Sequence, residues 1–378
     1  MRAKDRTDRS RVGILTFTGS TSFGAVLQMH ALYKAVESCG SRPEIIHYQN
    51  RYMRTLQHTS SAYGSPVRSV IRRLARYVIH RKSVRGFRRF EMRLEHYPHF
   101  AFRRKERLLS LAGRYAAVIC GSDQVWNPEI TGCDLSFFLD FCGSGTARVS
   151  YAPSFGSTDL PEDFVKAAAK ELGRFKALSV REAKGREKVA AMTGCCPANV
   201  LDPVFLMPRS YWSSLGKPSG TEEPYILYYA VRQSEEMRAF CERLAERKRL
   251  PVLVVGGNLF SGRRAGGRVR FCPDLDPVRW LYLVEHAEYV VTNSFHGLAF
   301  SIIFRRNFFL GLSSLTNDRL TDLISELKLG EQIIGPKTHL NETDYTAAEG
   351  ILPGLAERSM AYLRQALGYI CDENRTDG

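Results

Sequence analysis

The apolar positions of this chain fall into short continuous runs separated by stretches of helical spacing. Val12 to Phe17 is an apolar run that predicts a strand, and Thr18 to Gly24 is a glycine- and serine-rich turn. From Ala25 to Ser38 the apolar residues Val26, Leu27, Met29, Leu32, Tyr33 and Val36 recur with the period of a helix. Cys39-Gly40 ends that helix, and Pro43 to Tyr48 reads as the next strand. Strand, turn, helix and strand open a βαβ unit, so a parallel sheet is expected. Further buried strands are predicted at Ala116–Cys120, Arg148–Ala152, Ala177–Val180 and Asn199–Leu201.

Pro208 to Pro224, rich in Pro, Gly, Ser and charge, is the predicted linker. The pattern then restarts. Strands are expected at Tyr225–Val231, Pro251–Val255, Tyr289–Thr292 and Phe308–Leu312, with helices at Glu235–Arg249, Pro277–Ala287 and Gly297–Phe304. The chain thus divides into domains at 1–210 and 222–344, the first carrying a basic helical arm at about 50–110. A terminal segment, 345–378, is expected to pack back as a helix and to fray after Cys371. Two open α/β sheets place the default ligand site in the cleft between them, at the carboxyl ends of the strands.

Composition changes this picture in two places. The nine cysteines include no Cys-x-x-Cys pair, and read as reduced, buried thiols of a cytoplasmic protein. No run reaches the roughly 18 apolar residues of a spanning helix, and the first apolar run is too short for a signal-peptide core. The net charge of +15 is concentrated: Arg68 to Arg107 holds fourteen Lys or Arg against three Glu, leaving only about +4 for the rest. There Val67, Val70, Ile71, Leu74 and Val78 form an apolar stripe flanked by Arg68, Arg72, Arg73 and Arg76. Two readings stand side by side for residues 67–107: peripheral contact with an anionic membrane or acidic partner, and a solvated face of an inserted arm. No specific nucleic-acid partner is expected, because no helix-turn-helix, zinc-finger or base-stacking motif accompanies the charge.

Five polar clusters sit where strands end. The Thr18–Gly24 turn could hold an anion on its backbone N–H groups, or be an ordinary turn. Gly121-Ser122-Asp123-Gln124-Val125-Trp126-Asn127-Pro128 follows an apolar strand, and so dense a polar run suits a ligand contact, or a tight turn in which Asp123 and Asn127 satisfy loop backbone. Arg181 begins a helix after a strand, and its planar fork suits a carboxylate or phosphate, with an ion pair to Glu182 as the plainer role. Asn293-Ser294-Phe295-His296-Gly297 repeats the layout in the second half, and its imidazole could both give and take a proton near pH 7. Asn317-Asp318-Arg319 adds a further Arg at the cleft edge. No metal site is expected, since no second His or Cys stands at ligand spacing. Serine-hydrolase and zinc-peptidase motifs are missing.

In this order the pieces resemble the polysaccharide pyruvyl transferase family. The matching segments are Phe23-Gly24-Ala25-Val26-Leu27-Gln28, Cys120 to Asn127, Tyr151-Ala152-Pro153-Ser154-Phe155-Gly156, Ser179-Val180-Arg181-Glu182, Asp202-Pro203-Val204, Asn293 to Gly297 and Asn317-Asp318-Arg319. The resemblance implies two Rossmann-like domains in a GT-B-like arrangement with a cleft between them. It also implies transfer of a pyruvyl group from phosphoenolpyruvate, a substrate and not a cofactor, to two hydroxyls of a sugar, free or lipid-linked. His296 is then the catalytic residue, Arg181, Arg319, Ser294, Asn293 and Gly24 bind the donor, and Ser122, Asp123, Gln124, Trp126 and Asn127 line the acceptor side. Ser294 stands where better-known members carry Arg, and Arg319, Arg305 or Arg306 are the residues that could replace it. Two other function classes fit the same elements: a GT-B glycosyltransferase using a nucleotide-sugar, and a non-catalytic scaffold holding an anionic glycolipid.

Overall fold

The computed structural model describes residues 10–59, 81–156, 159–220, 223–232, 234–256, 269–312, 317–336 and 338–373. The apolar stripe Val67 to Val78 and its arginines lie outside these residues.

The first domain runs β1 (Arg11–Leu15), α1 (Phe23–Ser38), β2 (Arg42–Tyr48), α2 (Arg51–Thr59), α3 (81–91), β3 (His96–Phe102) and β4 (Ala117–Asp123). It continues with α4 (Pro128–Thr131), β5 (Ala147–Pro153), α5 (Glu162–Leu172), β6 (Ser179–Val180), α6 (Ala183–Thr193), β7 (Ala198–Asn199), a 3-10 turn at Pro203–Leu206 and α7 (Arg209–Leu215). The second domain holds β8 (Ile226–Tyr229), α8 (Glu235–Lys248), β9 (Val252–Val255), β10 (Val269–Phe271), α9 (Pro277–Glu285), β11 (Tyr289–Thr292), α10 (Phe295–Phe304), β12 (Asn307–Leu310) and α11 (Asn317–Glu326). α12 (Thr346–Glu373) closes the chain.

The two main sheets share one topology. Their orders are β3-β2-β1-β4-β5 and β10-β9-β8-β11-β12, and every pairing within them is parallel. In each, the direction of winding reverses beside the first strand, which opens a crevice at the carboxyl ends of β1 and β4, and of β8 and β11. These are two Rossmann-like domains in a GT-B-like arrangement.

The domains meet over α1. Twelve of its sixteen residues are buried, so it lacks the polar stripe of a surface helix. Met29 and Leu32 pack on the first sheet, whereas Val26, Leu27 and Ala31 join Trp280, Leu298 and Phe300 of the second domain in one apolar cluster. α12 bridges both halves: Ala348 and Leu355 enter that shared cluster, and Leu363, Ala366 and Leu367 pack with Ile14 and Val149.

Three expectations change. The 50–110 segment is not only a helical arm, because β3 within it pairs with β2 as an edge strand of the first sheet. Phe87 and Phe90 of α3 are buried in the shared cluster. The Pro208–Pro224 linker is helical over α7, where Trp212 is fully buried and meets Phe300 edge-on with ring centres 5.0 Å apart. Cys133, Cys195 and Cys196 are exposed thiols, whereas Cys120, Cys142 and Cys241 are buried as expected. Among the described residues no helix is long and apolar enough to cross a membrane.

Candidate active site

The site is assembled at the two crevices. After β11, the Thr292 hydroxyl accepts from the Ser294 N–H (3.1 Å), and the Ser294 hydroxyl accepts from the Gly297 N–H (3.2 Å), capping α10. A Cβ on Gly297 would come within 2.3 Å of Thr292 Oγ1, so glycine allows this turn to close. His296 is thereby fixed in the first turn of α10, 7% exposed. Its ring lies against Gly24 of the other domain, where a Cβ would stand 2.1 Å from His296 Nδ1.

Asp202 holds these parts together. Its Oδ2 lies 3.6 Å from His296 Nε2 and accepts from Arg181 Nη1 (2.7 Å) and from Ser122 Oγ (3.3 Å), while Oδ1 accepts from the Val204 N–H (3.2 Å). Burial alone would raise the Asp202 pKa, but His296 and Arg181 beside it hold the carboxyl well below the usual range. The carboxylate is therefore ionised while buried.

Around it lie two arginines and two more carboxylates. The Arg181 guanidinium sits 4.6 Å from the centre of the Phe295 ring, 3.9 Å from Asp123 and 3.7 Å from Glu182. Burial opposes its charge, and Asp202, Glu182 and Asp123 more than restore it. Glu182 accepts a short hydrogen bond from Ser154, and burial raises its pKa against the pull of Arg181 and Arg319. Arg319, on α11, has its pKa lowered by burial and by the like charge of Arg181.

Five buried polar atoms here form no hydrogen bond among the described residues: Arg181 Nε and Nη2, Arg319 Nε, Glu182 Oε2 and His296 Nε2. Leaving such groups unpaired is costly, so their convergence marks a place built to receive a polar partner. A cavity of about 180 Å³ opens beside them, lined in part by Arg181, Asp202, Phe295, Arg319, Asp322 and Arg358.

The other expected site residues separate into two groups. Ser122 and Asp123 belong to the cluster, Asp123 in a left-handed backbone conformation (φ 71°) that turns the chain at the end of β4. Gln124 is half-buried, its side chain accepting from Asn127 Nδ2 (3.1 Å) over Gly156. Trp126, expected in the cleft, is core: it is fully buried, stacks on Phe138 at 5.1 Å and donates to the Phe137 carbonyl (2.9 Å). Asn127 caps α4 by accepting from the Glu129 N–H (2.9 Å), so its side chain is committed to its own loop.

Asn293 and Ser294, expected on the donor, are likewise occupied with backbone. Asn293 accepts from the Val231 N–H (2.9 Å) and donates to the Arg232 carbonyl (2.6 Å), tying down the loop after β8. Arg305 ends α10 opposite to His296, about 13.5 Å away for nine residues along the helix, and pairs with Glu349 (3.2 Å). Arg306 Nε donates to the Phe304 carbonyl (3.2 Å), leaving Arg319 as the cation that reaches the cluster. In the Thr18–Gly24 turn the anion held is the chain's own Glu91, whose carboxylate accepts from the Gly19 N–H (2.9 and 3.1 Å).

Asp202, Glu182 and Ser154 were not among the expected site residues. Asp202 caps the 3-10 turn that starts at Pro203, and the sequence carries no sign of the three distant partners, Ser122, Arg181 and His296, that share it. No group of three potential metal ligands occurs among the described residues.

A family model described as polysaccharide pyruvyl transferase matches residues 23–314, from the first turn of α1 to just beyond β12. The chain belongs to the polysaccharide pyruvyl transferase family. This member carries its matched residues on both sides of the domain seam, with Gly24, Arg181, Asp202 and His296 all inside the span. No curated protein matches the chain. Among solved structures it is similar to UDP-N-acetylglucosamine 2-epimerase from Rickettsia bellii, at 9% identity and TM-score 0.49, covering 97% of this chain and 98% of that one. It is also similar to a S. aureus MnaA–UDP complex (12% identity, TM-score 0.48, 94% and 90% covered). A third is E. coli heptosyltransferase WaaC with ADP (11% identity, TM-score 0.39, 91% and 99% covered).

Proposed function

We propose that this family member transfers the pyruvyl group of phosphoenolpyruvate to two hydroxyls of one sugar, in a cell-surface polysaccharide or its lipid-linked precursor, forming a cyclic ketal. The observation that carries the reading is the set of buried Arg181 and Arg319 N–H groups that form no hydrogen bond among the described residues, beside His296, whose Nε2 lies 3.6 Å from Asp202. Phosphoenolpyruvate bears a carboxylate and a phosphate, and forked guanidinium donors in a site of low exposure complement both.

In this scheme a sugar hydroxyl gives up its proton as its oxygen bonds to C2 of the donor, while C3, the methylene carbon, takes up a proton, so the C2–C3 double bond becomes single. The C2–O bond to phosphate then breaks, inorganic phosphate leaves, and the second sugar hydroxyl closes the ketal after losing its proton. His296 is the group placed to carry a proton in these steps. Asp202, 3.6 Å from Nε2, orients the imidazole. The residues need no metal for this role.

The test is acceptor-dependent release of phosphate from phosphoenolpyruvate. His296→Ala is expected to reduce it by about a hundredfold or more, the usual scale of a lost acid–base group. Asp202→Asn is expected to reduce turnover with little change in KM for phosphoenolpyruvate and to alter the pH–rate profile. Stabilisation of the protein against heat by a nucleoside diphosphate, with none by phosphoenolpyruvate, would instead support a nucleotide-sugar glycosyltransferase.

A further inference from the structure

A second cavity, of about 190 Å³, lies where α3 meets the first turn of α9. None of its lining residues also lines the cavity beside Arg181. Phe90, Pro277 and Val278 supply apolar lining, and Arg89, Arg93, Lys217 and Arg279 bring four positive charges against one carboxylate, Asp276. That carboxylate is already committed, since its Oδ1 accepts from the Arg279 N–H (2.9 Å) and caps α9.

The geometry is fixed by close packing. A Cβ on Gly86 would come within 2.3 Å of Asp276 Cβ, so α3 seats against the α9 cap only because residue 86 is glycine. Arg89 follows Gly86 at i+3 on α3, and Arg93 stands in the turn just after the helix, where its N–H donates to the Phe90 carbonyl (3.2 Å). The Arg93 guanidinium lies 5.1 Å from the centre of the Phe90 ring. Among the described residues none of the four cations forms an ion pair with a carboxylate, whereas Arg238 and Arg364 elsewhere on the surface do. Four gathered like charges repel one another, and an anion between them removes that cost.

We infer that this pocket binds the phosphoryl or diphosphoryl head group of a ligand, at a site separate from the donor cleft. The cavity is smaller than the roughly 300–1,000 Å³ that encloses a whole small molecule, so it suits a head group whose remainder stays outside. Three Arg forks among the lining match phosphate oxygens in geometry as well as charge. The ligand is either a soluble phosphate ester or the head group of a phospholipid, and the site holds whether or not the chain transfers pyruvate.

Calorimetric binding of inorganic pyrophosphate to the full chain, and co-sedimentation with phosphatidylcholine vesicles with and without phosphatidic acid, test it. Arg89→Gln/Arg279→Gln is expected to weaken one or both by about tenfold or more, the scale of lost charge-assisted hydrogen bonds. His296→Ala, and Lys170→Gln/Arg247→Gln with the same change in charge elsewhere, should leave both unchanged. Loss confined to pyrophosphate assigns a soluble ester, and loss confined to the phosphatidic-acid vesicles assigns a lipid. Arg93→Gln serves as a second variant should the double one unfold, which its melting curve reveals. Equal binding by pocket variants and wild type overturns the site, as does pyrophosphate binding lost in His296→Ala instead.

Discussion

Asp202 joins three residues that the chain keeps far apart: Ser122 from the end of β4, Arg181 from the end of β6 and His296 from the second domain. A buried ionised carboxylate persists only where positive charge and hydrogen bonds replace water, and these partners supply both. Gly24 does the complementary work by being small. In Gly24→Ala the new methyl would occupy the space of the His296 ring, which it would approach to 2.1 Å. Alanine suits a helix better than glycine by about 0.5–1 kcal/mol, which offsets only part of the roughly 1–3 kcal/mol that overpacking costs, so stability should fall modestly. Turnover, by contrast, is expected to fall by about a hundredfold, because displacement by an ångström suffices for such a loss. Kinetics together with a melting curve on the same preparation check this, and an unchanged turnover would show that the ring does not work where it stands.

At the scale of elements, the strand–turn–helix junctions decide which polar groups are free. Ser294 is occupied as the cap of α10, which makes it a positioning residue for His296. Ser294→Ala is expected to cost about 1 kcal/mol of stability through the lost cap. It should also lower kcat more than it raises KM, and Ser294→Thr, which can still cap, should recover most of the loss. Denaturant melts and steady-state kinetics of the pair test this. The same accounting explains why the polar run after β4 was only partly legible. Asp123 and Ser122 face the cluster, but Trp126 and Asn127 build the turn that presents them. Sequence shows a dense polar loop; which of its side chains satisfy backbone and which remain available depends on φ at Asp123 and on Gly156.

At the scale of the whole molecule, α1 is the common wall of both domains, and His30 on it carries a pH dependence. It is buried against Tyr211 (Nε2 to Oη 2.6 Å) and the rings of Phe90 and Trp212. Burial first, then the charges of Lys34 and Arg93, lower its pKa from 6.5 to about 4. The unfolded chain therefore takes up a proton near pH 6.5 that the folded chain refuses until about pH 4. Stability is complete above that window and is lost as the pH falls through it, by an amount on the order of 3 kcal/mol. Melting temperatures from pH 7 to pH 4 should decline less steeply in His30→Gln than in the wild type. Equal slopes would assign the acid sensitivity elsewhere.

What the sequence determined by itself is local and periodic: the alternation of strands and helices, the two-fold restart of the pattern, and the polar clusters at strand ends that include His296 and Arg181. These follow from burial patterns and turn chemistry, which act over a few residues. Even β3 escaped, because His96–Phe102 is an irregular edge strand with two exposed positions, inside a strongly basic stretch. Tertiary structure alone decided that Asp202 is the hub, that Gly24 makes room for His296, and that Ser294 and Asn293 are spent on backbone. It also set Arg319, and not Arg305, beside Arg181. Such roles depend on contacts between residues that are mostly tens to hundreds of positions apart, and on the burial that makes an unpaired charge costly there, neither of which a linear pattern contains.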